Sequence, residues 1–134
     1  MLNKGFCVNN GEIKIDNGIL RVIVDYQRGG NISSLYFNNK NFELLFQPKH
    51  SNLDIPQKGD SFEKYAATGF DDTFPNIDAE KIIYSGREIT YNDHGDIWTS
   101  RMNMLIDNED IVLYSENDEY LFKKRKSLNK KSLI

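Results

Sequence analysis

An all-β fold is predicted by three observations on this sequence. Short segments alternate polar and apolar residues, as in 12–16 (EIKID), which is the pattern of a strand with one buried face. Asn17-Gly18, directly after that segment, is a strong signal for a two-residue hairpin turn. No segment has the 3.6-residue apolar period of an amphipathic helix. We therefore expect a sandwich of mostly antiparallel strands.

The first third of the chain predicts a meander of short strands. In the segment after the Asn17-Gly18 turn, Leu20, Val22, Val24 and Tyr26 share one face, because side chains alternate along a strand. We expect that face to be buried. Gly29-Gly30 and the run 38–40 (NNK) supply the next two turns. The predicted strands are 12–16, 19–26, 31–37 and 41–46.

The middle of the chain is less regular. Segment 47–61 contains two prolines and a glycine and predicts a loop, and Pro75 makes 70–78 a structured loop, since proline cannot donate a hydrogen bond within a sheet. A short strand is predicted at 62–68. The later strands are predicted at 80–91 (interrupted at Ser85-Gly86), 96–106, 110–115 and 120–128, with a turn at 107–109.

Composition is typical of a soluble, single-domain protein. The chain has 134 residues, of which 28% are charged, and a net charge of −3. It has no run of 18 apolar residues and no recognisable signal peptide, so neither a membrane span nor secretion is expected. The single cysteine, Cys7, cannot form an internal disulfide. A cytoplasmic location is the resulting prediction.

Charge is unevenly distributed along the chain. Basic residues predominate only in 119–134, where Lys123-Lys124-Arg125-Lys126 is followed by Lys130-Lys131. Such a run can bind nucleic acid or membranes. It has few interleaved aromatic residues and no companion basic face, so we interpret it as a solvated C-terminal strand and tail. No nucleic-acid or membrane partner is predicted.

The stretch 68–101 holds the candidate site residues. Asp71 and Asp72 lie in GFDDTFP (69–75), and His94 and Trp98 lie in DHGDIW (93–98). Carboxylates accept hydrogen bonds from sugar hydroxyls, imidazole donates or accepts them, and an aromatic face packs on sugar C–H groups. This mixture favours a carbohydrate site. The alternative for each residue is structural: loop capping for the aspartates, an exposed or structural histidine, and a core tryptophan.

Other kinds of site are not indicated. Adjacent carboxylates such as Asp71-Asp72 do not span a substrate as a glycosidase pair does. No His-x-His, Cys-x-x-Cys or calcium-loop spacing is present, and Gly29-Gly30 lacks the helix that a phosphate-binding loop needs. No metal and no cofactor are predicted, and no residue is assigned as catalytic apart from His94 as a weak candidate.

The order of motifs resembles the aldose 1-epimerase (galactose mutarotase-like) family. The resemblance rests on four segments and covers roughly residues 10 to 130. In chain order they are RGGNISSL (28–35), NFELL (41–45), GFDDTFP (69–75) and DHGDIW (93–98). The third fits the family's G-x-D-E/D-x-F-P loop, and the fourth fits its D-H-G-x-x-W segment. Each motif alone is weak, but four in this order are moderately specific.

The resemblance implies a partial β-supersandwich that binds a hexose in an open cleft. Enzymes of the family interconvert sugar anomers: a glutamate takes the proton of the anomeric hydroxyl while a histidine protonates the ring oxygen. His94 matches the family's first site histidine, which mainly orients the sugar. The family's catalytic histidine and glutamate have no counterpart in this sequence, so we expect an N-terminal portion that is inactive alone.

Two other functions stay open. The same half-site fits a non-catalytic carbohydrate-binding module, and a small β-sandwich interaction protein without sugar affinity is the third possibility. Strands written for a larger sandwich would also leave an unpaired sheet edge and an uncovered apolar face. Marginal stability or self-association through that edge is therefore expected.

Overall fold

The protein is all-β, as the sequence predicts. The structure, a computed structural model, describes residues 5–49, 54–65, 68–108 and 110–129. The described strands form three sheets, and neighbouring strands within each sheet are antiparallel. The predicted C-terminal tail beyond residue 129 lies outside the described residues.

A five-stranded meander forms the first sheet. Its strands follow the chain order β1 to β5. They are β1 (Gly5–Asn9), β2 (Glu12–Asp16), β3 (Leu20–Asp25), β4 (Asn31–Phe37) and β5 (Phe42–Glu43). The sequence of β1 has no strong alternation of polar and apolar residues, so this strand was not predicted. All five of its residues pair with residues of β2.

The remaining strands form two smaller sheets. A hairpin pairs β6 (Glu80–Tyr84) with β7 (Arg87–Tyr91) around Ser85-Gly86, where the sequence predicts the interruption. A three-stranded sheet has the order β10-β9-β8. Its strands are β8 (Asn103–Asp107), β9 (Asp110–Glu116) and β10 (Leu121–Lys126).

One apolar core lies between the five-stranded and three-stranded sheets. Leu20, Val22 and Val24 are buried, as the alternation predicts, and Tyr26 packs against them partly exposed. They share a cluster with Ile111 and Leu113 of β9. Burial of branched aliphatic side chains from both sheets is the main force that holds a sandwich together. The β6–β7 hairpin contributes no residue to this core.

Three predicted strands differ from the structure. The segment 41–46 is extended only at Phe42–Glu43, because Asn41 has a left-handed backbone (φ 50°) and the Glu43 side chain binds the Leu45 amide. The prediction of a strand at 62–68 is wrong at 62–64, which is a 3-10 turn. There the Phe62 amide donates to the Asp93 carboxylate at 2.8 Å rather than to a sheet.

The strand predicted at 96–106 begins only at Asn103. Residues Ile97–Thr99 form a 3-10 helix instead. The hydroxyls of Thr99 and Ser100 both donate to the Asp96 carbonyl, at 3.0 and 2.8 Å. Local side-chain bonds of this kind compete with a sheet ladder.

The basic run 123–126 lies on β10, and two of its four residues pair with carboxylates. Lys124 forms an ion pair with Asp72. Arg125 donates to Asp107 at 2.9 Å and to Asp110 at 3.1 Å. The pKa of Lys126 is lowered, chiefly because the side chain is partly buried and also because Lys124 is near. These contacts make the run part of the sandwich.

Candidate functional site

Two loops that are far apart in sequence are held together at one side of the core. The His94 amide donates to the Ile77 carbonyl at 2.6 Å, and the Asp96 amide donates to the Phe74 carbonyl at 2.8 Å. The Asn76 side chain adds a bond to the Asn92 carbonyl at 2.6 Å. Loop 70–78 and loop 92–98 therefore form a single hydrogen-bonded unit.

Gly95 is required where the two loops meet. Its φ of +74° is left-handed, and a parallel bridge joins it to Phe74. A Cβ at this position would overlap with the Phe74 carbonyl. Only glycine combines this backbone with so close an approach.

His94 is fixed in orientation by two neighbours. Its ring stacks on Phe62, with 4.1 Å between centroids, and its Nδ1 lies 2.7 Å from Asp93 Oδ1. The Phe62 amide, and then the His94 hydrogen bond, keep the pKa of Asp93 below its usual value. An ionised carboxylate only accepts, so Nδ1 carries the proton and Nε2 is the acceptor of the neutral ring.

Trp98 is buried beside His94 rather than exposed to a ligand. Only 2% of the residue is accessible. Its indole N–H donates to the Asp93 carbonyl at 3.0 Å, and Phe62 and Tyr65 contact its ring edge-on. In this position the ring offers no free face for sugar stacking. The structure supports the alternative interpretation of Trp98 as a core aromatic residue that positions Asp93.

Asp71 and Asp72 belong to a second group, around the start of β4. The Asn31 amide donates to Asp71 at 2.7 Å, and Asp72 pairs with Lys124. Burial raises the pKa of Asp71, which the Asn31 bond and the nearby Arg28 charge only partly offset. The structure thus groups His94 with Trp98 and Asp71 with Asp72, and no described hydrogen bond or ring contact joins the two pairs.

Three buried polar atoms near Asp71 have no hydrogen-bond partner among the described residues. They are Arg28 Nε, Asn31 Oδ1 and Thr68 Oγ1. An unsatisfied buried polar atom costs roughly 1–3 kcal/mol, so such groups are commonly completed by water. All three residues are at least 95% buried, which makes this group a polar part of the interior and not an open site.

A polar cleft that the sequence analysis missed lies beside the joined loops. Its volume is about 240 Å³, below the roughly 300–1,000 Å³ of pockets for drug-sized ligands, and so it suits a smaller molecule. It is lined by Lys58, Pro75, Asn76, Thr90, Tyr91, Asn92, Asp96, Asn117, Asp118 and Glu119. None of the four sequence-predicted site residues lines it.

Asp96 is the most connected carboxylate of the cleft. Its Oδ1 accepts from the Asn92 amide at 2.7 Å, and its Oδ2 accepts from the Tyr120 hydroxyl at 3.2 Å and lies 3.7 Å from Lys58 Nζ. Burial, and next the charge of Asp96, raise the pKa of Tyr120 to about 12. Like an unperturbed tyrosine, Tyr120 is protonated at neutral pH, and its hydroxyl is the donor in this bond.

The sequence held one signal for this cleft. Asn76, Asn92, Asp96 and Asn117 are amide or carboxylate residues beside turns, which is where binding groups concentrate. Their convergence depends on the pairing of loops that the sequence does not reveal.

No protein-family model matches the chain, and no curated protein is significantly similar to it. The resemblance to aldose 1-epimerases accordingly stays a prediction from the motifs. Within the described residues, no set of three or more metal-ligating side chains converges, and no helix has the length and apolar character needed to cross a membrane.

Proposed function

We propose that this chain is a carbohydrate-binding, aldose 1-epimerase-like protein that holds a monosaccharide in the polar cleft beside loop 92–98. The cleft itself carries the proposal. It has a volume of about 240 Å³ and presents hydroxyl, amide and carboxylate groups. Each sugar hydroxyl both donates and accepts hydrogen bonds, and a wall that mixes donors with acceptors meets both needs.

Asp96 is the residue that we expect to orient the sugar. Asn92, Tyr120 and Lys58 hold its carboxylate in place, so little side-chain freedom is lost when a hydroxyl binds. His94 does not line this cleft, so its role in orienting a sugar is only what the motif resemblance implies; its Asp93 hydrogen bond fixes the ring and leaves Nε2 as the acceptor. A hexose is the ligand that the motif resemblance implies.

A non-catalytic carbohydrate-binding module is the second candidate function. It is favoured by the state of Asp96, because a carboxylate that already accepts from Asn92 and Tyr120 suits orientation better than proton transfer. Anomer interconversion needs an acid and a base on opposite sides of the sugar. We assign neither role to a described residue, because the resemblance gives His94 an orienting role and His94 does not line the cleft.

Calorimetric titration with glucose and galactose tests binding. We expect Asp96→Asn to weaken binding at least tenfold, which is about 1.4 kcal/mol. The variant replaces one carboxylate oxygen by an NH₂ group, so it has one acceptor fewer for the Asn92 amide and the sugar hydroxyls. Asp78→Asn, an exposed substitution outside the cleft, is the matched control and should leave affinity unchanged. Wild-type protein that binds neither sugar would favour the interaction-protein alternative.

Polarimetry on freshly dissolved α-glucose or α-galactose separates the enzyme from the binding module. A binding module leaves the rate of mutarotation at its uncatalysed value. If the rate rises, His94→Phe tests the role that the resemblance implies for His94, because it retains a ring that can stack on Phe62 but removes both ring nitrogens, and the increase should be lost. Acceleration that survives this substitution would exclude the role given to His94.

A further inference from the structure

The outer edge of β8 is open in the described part of the chain. β8 pairs with β9 on one side, and no described strand pairs with its other side. Its sequence, NMLID, contains no proline, lysine or arginine, and Asp107 is its one charged residue, so β8 has few of the residues that usually protect an edge. The opposite edge of this sheet, β10, carries four consecutive basic residues. Of these two edges, only β8 presents no basic side chain to an added strand.

Apolar side chains on both faces of β8 remain exposed at this edge. Ile106 lies opposite the fully buried Ile111, so it points to the core face, yet 52% of it is accessible. Leu105 lies opposite Val112 on the outer face and is 45% accessible. A core-facing isoleucine that is half exposed offers apolar surface to a strand added beside β8.

We propose that a second copy of this chain covers the edge through antiparallel pairing of β8 with β8 of the other copy, about a twofold axis at Leu105. In this register Met104 of each copy lies opposite Ile106 of the other, and Leu105 meets its own equivalent. Three strands from each copy then form one continuous six-stranded sheet. The exposed Ile106 gains an apolar neighbour on the core face.

The alternation of side chains restricts the register. Directly opposite residues share a face, so an axis that passes through a residue keeps both core faces on the same side of the sheet. If the axis lay between two residues, Met104, which is on the core face of one copy, would lie opposite an outer-face residue of the other copy. Among the allowed registers, the axis at Leu105 pairs all five residues of the strand.

Charge is compatible with the same register. Asn103 of each copy lies opposite Asp107 of the other, which places an amide donor near a carboxylate. The Asp107 charge is already partly balanced by Arg125 at 2.9 Å. No like charges meet. Other strands also have open edges among the described residues, such as β1 with Val8 exposed and β6 with Ile83 exposed, and these are competing sites for self-association.

A charge-swap experiment identifies the interface. Sedimentation velocity on the Cys7→Ser protein, at concentrations from 5 to 500 µM, should show a monomer–dimer equilibrium. Leu105→Glu and Leu105→Lys should each raise the dissociation constant at least tenfold, because like charges meet at the axis. An equimolar mixture of the two should restore the dimer. Val8→Lys is the control and should change nothing.

Cysteine cross-linking checks the register independently. Directly opposite Cα atoms in an antiparallel pair are about 4.5–5.5 Å apart, within reach of a disulfide. In the Cys7→Ser background, Leu105→Cys should oxidise to a covalent dimer, whereas Ile106→Cys should cross-link far more slowly.

Several results would overturn the pairing. These are a wild-type protein that stays monomeric at 500 µM, a dimer that Val8→Lys dissociates, or a mixture of the charge variants that remains monomeric although each is folded by circular dichroism. None of these results bears on sugar affinity, so this inference and the proposed function can fail separately.

Discussion

At the scale of the residue, the candidate site depends on close contacts that tolerate little change. Gly69 approaches the Ile32 carbonyl as Gly95 approaches that of Phe74, and both have a positive φ. These two glycines fix the ends of the joined loops against the sheet and against each other. His94 also adopts a positive φ of 57°, which is uncommon for a residue with a side chain, although histidine is among those that adopt it more often.

Gly95→Ala tests the junction of the loops. Alanine should lower the free energy of unfolding in two ways, through its left-handed backbone, at about 1–2 kcal/mol, and through overlap with Phe74, at about 1–3 kcal/mol more. Gly86→Ala is the matched control, since Gly86 has nearly the same φ (75°) but open space around it. Urea denaturation measures both. Equal losses of stability in the two variants would mean that Phe74 moves away from the new Cβ at no energetic cost.

The four site residues were predicted to different depths. The sequence marks Asp71, Asp72, His94 and Trp98 as a polar and aromatic group, and their partners could not be read from it. Trp98 is buried because Phe62 and Tyr65, more than 30 residues earlier, pack against it. Asp72 is neutralised by Lys124 from the basic run. Such contacts depend on which loops meet, and no local pattern encodes that.

At the scale of the element, side-chain hydrogen bonds decide where strands end. Glu43 holds β5 to β4: its carboxylate accepts from the Ser34 hydroxyl at 2.5 Å and from the amides of Leu35 and Leu45 at 2.9 and 3.0 Å. Burial alone would raise the pKa of Glu43, but these bonds together outweigh it, and the pKa is lowered. Two paired residues suffice for β5 because Glu43 supplies the remaining links.

Glu43→Gln should destabilise the protein by about 1 kcal/mol at pH 7, a low value for charged hydrogen bonds because the group is partly exposed. Since the folded pKa is below the unfolded one, this stabilisation is complete above the ordinary glutamate pKa of 4.5 and is lost as the pH falls through the folded value. The difference between wild type and variant should therefore shrink below pH 4.5. Chemical denaturation from pH 3 to 7 measures it.

Glu88→Gln is the control for that measurement. Glu88 forms an exposed ion pair with Lys81 at 3.0 Å. Such surface pairs contribute about 0–1 kcal/mol and are screened by salt. A pH dependence as large as that of Glu43→Gln would show that general charge effects, and not the Glu43 hydrogen bonds, are responsible.

At the scale of the whole molecule, the two larger sheets depend on each other for burial. Ile13 and Ile15 of β2 and Leu113 of β9 are almost completely buried in one cluster. Neither sheet could bury these residues alone. We therefore expect the described sandwich to unfold as one cooperative unit, with the β6–β7 hairpin outside its core.

Leu113→Ala should lower the free energy of unfolding by about 2–5 kcal/mol, a large share of the 5–15 kcal/mol of a typical domain. Trp98, the single tryptophan, reports on the joined loops by fluorescence, and circular dichroism reports on the strands. Both transitions should shift together. Leu121→Ala, at an exposed position of β10, should cost less than about 0.5 kcal/mol. Separate transitions would contradict a single core.

The sequence by itself determined the β class, the turn at Ser85-Gly86 and the buried face of β3. The two-residue turn predicted at Asn17-Gly18 lies one residue later, at Gly18-Ile19, because Asp16 pairs with Arg21 and the Asn17 amide donates to the Leu20 carbonyl. These features depend on alternation and turn residues, which act over a few neighbouring positions. Only the tertiary structure decided that 96–102 leaves the sheet, that Trp98 is buried, and that Asn76 and Asn92 converge with Asp96 on a cleft. The physical reason is that these outcomes depend on hydrogen bonds and packing between distant loops, such as Phe62 with Asp93 and Asn76 with Asn92.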